Sequence, residues 1–204
     1  MARAAISSGS RMRRRQPSRA RVPVSSVAEP REPLLRAVLG FVRSACRLPG
    51  ITRIALLGSL TTSKLVPKDA DLLVTVEPSM DLGPLAQAGR RLQGSAQSIN
   101  LGADIFLTTK DGRYLGRICH WRSCHPRVAC HAQHCGQRAH LNDDLHIVTL
   151  PADLIAAPPV ELWPDLVLRR AVPEDVEKQL LAELAHDRNA PDILPVEDCP
   201  RSTH

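Results

Sequence analysis

Three short apolar runs constrain this chain most. They are "ITRIALLG" at 51–58, "DLLVTVE" at 71–77 and "ADIFLTT" at 103–109. Each is strand length; the nearly continuous apolar end of the first suggests burial on both faces, the second reads as another buried strand and the third as a strand beside them. Helical patterns flank them. Residues 33–47 place Leu34, Leu35, Val38, Leu39, Val42 and Ala45 on one stripe, with Arg36 and Arg43 opposite and Pro33 near the first turn. Pro49-Gly50 stops that helix. Residues 80–99 carry Leu82, Leu85, Ala86, Leu92 and Ile99 at helical spacing, with Arg90 and Arg91 outward. The turn signal Lys110-Asp111-Gly112-Arg113 sends "RYLGRI" back as a hairpin strand. A further short strand is expected at "LHIVTL", 145–150, and a C-terminal helix at 173–187, opened by Pro173 and acidic residues. The expected class is α/β (α+β), a small mixed β-sheet flanked by helices.

Charge divides the chain sharply. Residues 1–33 hold eight Arg and two Glu, which accounts for the whole net charge of +6, and the remaining 19 basic and 19 acidic residues cancel. The tail is rich in Ser, Pro and Arg, has no amphipathic period and lacks the apolar core of a secretory signal, so residues 1–32 are expected to be a disordered basic tail. It is a candidate for weak nucleic-acid contact or for an organellar transit peptide, and the plainer reading is a solvated extension. No apolar run approaches the length of a membrane helix, so no membrane partner and a cytoplasmic location are expected. The body is expected to run over 33–150, followed by a helical extension at 151–190 and a frayed tail at 191–204. Only five residues are aromatic, so Leu, Val, Ile and Ala must build the core.

The first apolar run ends in Gly58-Ser59. Gly58 suits a sharp turn because it lacks a Cβ. Ser59 can cap a short helix, "SLTTSKL", where its hydroxyl and the free N–H groups suit a phosphate; Pro67 ends that helix. Nine residues separate Ser59 from Asp69-Ala70-Asp71, which opens the second run. The period of two in a strand sends both carboxylates to one face. Held together they repel unless a cation lies between them, and Mg²⁺ takes a few carboxylates together with waters and substrate phosphates. Asp104, a charge inside the third run, is the best third ligand, with Asp143-Asp144 competing. The ordinary alternative is that Asp69 caps the strand entry and Asp71 lies at an edge.

Gly-Ser, nine residues, Asp-x-Asp between apolar runs and an Asp on the following strand resemble the DNA polymerase β-type nucleotidyltransferase superfamily, with the small bacterial minimal nucleotidyltransferases as the nearest match. The resemblance covers about residues 34–109. It implies two Mg²⁺ ions on Asp69, Asp71 and Asp104 and a triphosphate held by Gly58 and Ser59. The implied reaction moves an NMP from an NTP substrate to an unidentified acceptor (protein, RNA or small molecule) and releases pyrophosphate. Many small members carry an Arg-Gly pair after the Gly-Ser; here Thr61-Thr62-Ser63-Lys64 stands there, so Lys64 or Lys68 is expected to meet the phosphates. A second reading is a catalytically weak, antitoxin-like or binding module of this fold, acting through its Cys-rich loop and basic tail.

That loop spans 119–140. Cys119-x₄-Cys124 and Cys130-x₄-Cys135, five residues apart, have ligand-like spacing on a polar segment, and structural Zn²⁺ held by Cys119, Cys124, Cys130 and Cys135 is the simplest account, with His134 as an alternative ligand. Free thiols or disulfides are the other readings. Trp121, Arg122 and Arg127 are expected either to pack and solvate this loop or to touch a nucleic acid there. Cys46, on the apolar side of the first helix, is expected in the core.

Overall fold

The computed structural model describes residues 30–122, 124, 138–142 and 158–189 of the 204-residue chain. A six-stranded mixed sheet runs in the order β5-β4-β3-β2-β1-β6, with β1 Ile51–Leu57, β2 Asp69–Val76, β3 Gly102–Thr108, β4 Tyr114–Ile118, β5 Leu141–Asn142 and β6 Val160–Trp163. Among the described strands only β2 and β3 run parallel, joined by the crossover helix α2, Gly83–Gln97; the other neighbours are antiparallel. Helix α1, Arg31–Ala45, precedes the sheet. The C-terminal helix α3 has a first turn Glu174–Val176, a π-helical segment Glu177–Leu181 and an α-helical end Ala182–Asn189. Among the described residues no helix is long and apolar enough to cross a membrane.

The two faces of the sheet differ in chemistry. Ile54, Leu56, Leu72, Val74, Ile105 and Leu107 share one face and are fully buried with the apolar stripes of α1 and α2. Val176, Leu180, Leu181 and Leu184 seat α3 against α1 in the same core. The opposite face carries Arg53, Asp71, Thr75, Asp104, Phe106, Thr108 and Arg117, alternating with the apolar set as the pleat requires. Thr75 and Thr108 hydrogen-bond across the parallel pair at 3.0 Å, and Arg53 holds Glu161 of β6 through two bonds of 2.6 and 2.7 Å.

Several expected boundaries shift. Helix α1 starts at Arg31, inside the segment expected to be a disordered tail. The buried Arg31 guanidinium binds Asp175 at 2.6 and 3.2 Å and donates to the carbonyls of Leu60, at 3.0 Å, and Lys64, at 2.7 Å. The short helix expected after Gly58 is a single 3₁₀ turn, Gly58–Thr61. Two edge strands were not expected. β6 is only four residues long with a charge in its middle, yet it pairs with β1, so the segment after residue 158 belongs to the main sheet and core rather than to a helical extension. β5 is a two-residue pairing on β4. The strand expected at 145–150 and the frayed tail lie outside the described residues. Cys46 is half-buried against the core, and burial pushes its thiol pKa up despite the opposing charge of Arg47.

Candidate metal and phosphate site

Gly58 closes β1 with φ +67°, the left-handed region where an L side chain is strained, and the chain turns there into the 3₁₀ segment. Ser59 is the second residue of that turn and does not cap it: its carbonyl accepts the N–H of Thr62 at 3.2 Å, while its Oγ is buried without a hydrogen-bond partner among the described residues. An unpaired buried hydroxyl is costly, and a ligand oxygen would satisfy it. The segment beyond the turn is fixed from two directions. Arg31 takes the Leu60 and Lys64 carbonyls from α1, and Arg170 donates to the Thr61 carbonyl at 2.8 Å and to the Thr61 hydroxyl. Lys64 and Lys68 are exposed, and the Lys68 carbonyl accepts the Gly102 N–H at 3.1 Å.

β2 opens at Asp69. In the parallel register Asp71 lies beside Asp104, and Asp69 beside Gly102. One carboxylate oxygen from each of Asp69, Asp71 and Asp104 lies within 4.8 Å of the others, a spacing at which one cation can bridge the three. Asp71 is buried, and the other two are half-buried. Leu57, the last residue of β1, is the register partner of Asp71, so the Gly58-Ser59 turn starts one strand away from the carboxylates. Asp104 is also ion-paired with Arg117 of β4 at 3.0 Å, which offsets one negative charge of the group.

Next to Asp104, on the side away from β1, a cleft of about 680 Å³ is lined by Asp104, Arg117, His120, Trp121, Arg122 and Asn142 among others. His120 leans on α2 at Gly89, where a Cβ would stand 2.9 Å from Ile105 Cδ1 and 3.5 Å from His120 Cε1; the glycine lets helix and imidazole approach. Burial lowers the His120 pKa, against the raising effect of Asp104, so the ring is held neutral. A smaller groove of about 320 Å³, between α1 and α2, lies on the helical side of the sheet.

Of the four cysteines expected to hold zinc, Cys119 is buried just past β4 and Cys124 is half-buried. Residue 140 ties the two together: the His140 carbonyl accepts the Cys119 N–H at 2.9 Å, and the His140 N–H donates to Cys124 Sγ at 3.0 Å. Cys130, Cys135 and His134 lie outside the described residues, as do Asp143 and Asp144. Sequence reasoning missed Arg31, Arg117, Arg170 and Asn142. For Arg117 there was a signal: a strand running back along β3 must place some residue of "RYLGRI" on the face of Asp104. No family model matches the chain, no curated protein is significantly similar to it, and no solved structure matches it significantly.

Proposed function

We propose that this chain is a metal-dependent nucleotidyltransferase with a nucleotidyltransferase-like fold, moving an NMP from an NTP to an acceptor. The observation that carries the reading is the convergence of Asp69, Asp71 and Asp104, from two parallel strands, beside the Gly58-Ser59 turn. Three carboxylates gathered on a sheet face, one of them buried, are the donor set of a hard divalent cation. Two Mg²⁺ ions held there would neutralise the triphosphate and polarise the reacting oxygens. The Ser59 hydroxyl, buried and without a partner among the described residues, is suited to donate to a phosphate oxygen, and Lys64 and Lys68 lie on the exposed segment that leads to Asp69. Arg31 and Arg170 keep the turn and its following segment in place. Arg117 fixes the rotamer of Asp104. In the reaction the acceptor oxygen bonds to the α-phosphorus, the bond from that phosphorus to the pyrophosphate oxygen breaks, and the acceptor proton passes to a carboxylate or to solvent.

The Cys-rich loop is read as a structural zinc site of Cys119, Cys124, Cys130 and Cys135. Residue 140 supports this by holding the first two cysteines close, its N–H donating to Cys124 Sγ and its carbonyl accepting the Cys119 N–H. A reducing, cytoplasmic compartment accompanies this reading. The basic tail would then add weak nucleic-acid contact.

The test is pyrophosphate release from each NTP in the presence of Mg²⁺, by the wild type and by Asp69→Asn and Asp71→Asn. The expected outcome is release by the wild type and a loss of at least about a hundredfold in either variant. A wild type that neither releases pyrophosphate with any acceptor nor binds any NTP would leave the binding-module reading in its place.

A further inference from the structure

Five large apolar side chains are exposed among the described residues, and four of them come from two short segments: Leu65 at 71% and Val66 at 60%, Val167 at 39% and Leu168 at 46%. The two segments meet. Arg170 donates to the Thr61 carbonyl at 2.8 Å, and Arg31 binds both the Lys64 carbonyl and Asp175, so residues 61–66 and 167–175 share one corner of the molecule. Neither pair is a loose end. Leu65 and Val66 stand between the buried Thr61 and the buried Pro67. Val167 exchanges two backbone hydrogen bonds with Glu161 of β6, and Leu166 and Val172 pack on the core to either side. The backbone is held in place at both segments while the aliphatic pairs stay in water, and clustered exposure of this kind marks an interaction surface.

We infer that this corner is a docking surface for an anionic lipid membrane, with the two aliphatic pairs entering the headgroup layer. Three observations select that occupant. The first is charge. Lys64 and Lys68 border Leu65-Val66, Arg169 follows Leu168, and all three cations are exposed. Residues 59–68 and 166–172 contain no acid; Asp69 and Asp165 lie just beyond them. Cations set around apolar side chains complement an anionic surface. The second is shape. Leu65 and Val66 protrude, and protruding side chains need a partner that yields around them. A fluid headgroup layer does so without a complementary pocket. The third is side-chain type. All four are aliphatic, which suits acyl chains and gives a nucleic-acid base no ring to stack on. The contact is peripheral, because no described helix is long and apolar enough to cross a membrane. It replaces the expectation of no membrane partner, which rested on the absence of a spanning run. The same corner carries the segment that follows the Gly58-Ser59 turn, so docking sets the candidate site beside the headgroups.

The experiment is co-flotation of the full chain with vesicles of phosphatidylcholine alone and with vesicles of equal parts phosphatidylcholine and phosphatidylglycerol. It is run in chelator and without NTP, so its outcome does not depend on the nucleotidyltransferase reading. Binding to the anionic vesicles is expected, with little to phosphatidylcholine and a decline as salt rises. Lys64 and Lys68 are kept, because the phosphate reading also uses them. Leu65→Ser combined with Leu168→Ser should weaken partitioning about tenfold or more, since both positions lose apolar area that would leave water. Arg169→Gln should weaken it about fivefold, the effect of one cation near the surface. Both variants change only exposed side chains, so their melting temperatures should match the wild type. Three results would overturn the inference. One is no binding of the wild type to the anionic vesicles. Another is anionic binding left unchanged in both variants, which would assign the contact to the Arg-rich tail. The third is a wild-type dimer in sedimentation that the double variant disperses, with vesicle binding equal in the two, which would make the corner an interface between copies of this chain.

Discussion

Replacing Asp71 by Asn keeps the shape of the side chain and removes one negative charge from the group of three. Asp71 is only 7% exposed, so its repulsion is poorly screened. At 4.8 Å two unit charges repel by about 3.5 kcal/mol at an effective dielectric of about 20. Asp71 faces two such partners. Both are half-buried and in contact with solvent, and Arg117 already offsets Asp104, so the net relief on substitution should be about 1–3 kcal/mol. For a chain of this size that corresponds to a melting temperature roughly 3–10 °C higher in chelator. Magnesium should reverse the order. At a hundred times its dissociation constant it adds about 2.7 kcal/mol to the wild type and little to the variant. Thermal melts of both proteins, with chelator and with MgCl₂, read this crossing directly. A wild type whose melting temperature ignores Mg²⁺, together with a variant less stable than wild type in chelator, would refute the reasoning: the carboxylates would then be held by protein donors and not by an ion.

Three further outcomes are expected. Arg31→Met takes the guanidinium from the Asp175 carboxylate, which keeps only the Val176 N–H among its described donors, and from the Leu60 and Lys64 carbonyls, and should cost about 2–4 kcal/mol by urea unfolding with the slope unchanged. The same pair sets an acid limb. Burial raises the Asp175 pKa, but the hydrogen bond and charge of Arg31 outweigh it and hold it below the ordinary value, so this stability is present above about pH 4 and is lost as pH falls through the lower folded value; the gap between wild type and Arg31→Met should narrow below about pH 4. Ser59→Ala removes a buried hydroxyl that has no partner among the described residues, so stability should stay within about 0.5 kcal/mol while NTP binding, followed by calorimetry, weakens about fivefold or more; lost stability with unchanged binding would make the hydroxyl structural. Protein purified without chelator should carry one zinc per chain by elemental analysis, and Cys124→Ser should lower that content; a wild type well below one zinc would remove the zinc reading.

Much of the fold was legible because its signals are local. The stripe Leu34, Leu35, Val38, Leu39, Val42 and Ala45 announced α1, and every one of those residues is buried in it. The period of two put Asp69 and Asp71 on one face before any partner strand was known. Gly58 announced its turn by lacking a Cβ, and its φ is positive. Where a signal was short or depended on distant residues, the reading failed. β6 offers only "VELW", and its buried Glu161 is explained only by Arg53, 108 residues away in the chain. Arg31 sits in a stretch that looks disordered by composition, and its partner Asp175 is 144 residues away.

The sequence by itself determined the longer strands and the body of each α-helix, and that two aspartates share a strand face, because both follow from periodicities within a few residues. It also marked Asp104 as a charge needing a partner. The tertiary structure alone decided who that partner is. The parallel β2–β3 register sets Asp104 beside Asp71, the antiparallel return of β4 brings Arg117 to it, and the short β5 brings Asn142 to the far wall of the cleft. Register is fixed by hydrogen bonds between strands and by the fit of one buried face against the helices. Neither is written in any single segment, and a slip of one residue would have turned Asp104 into the core.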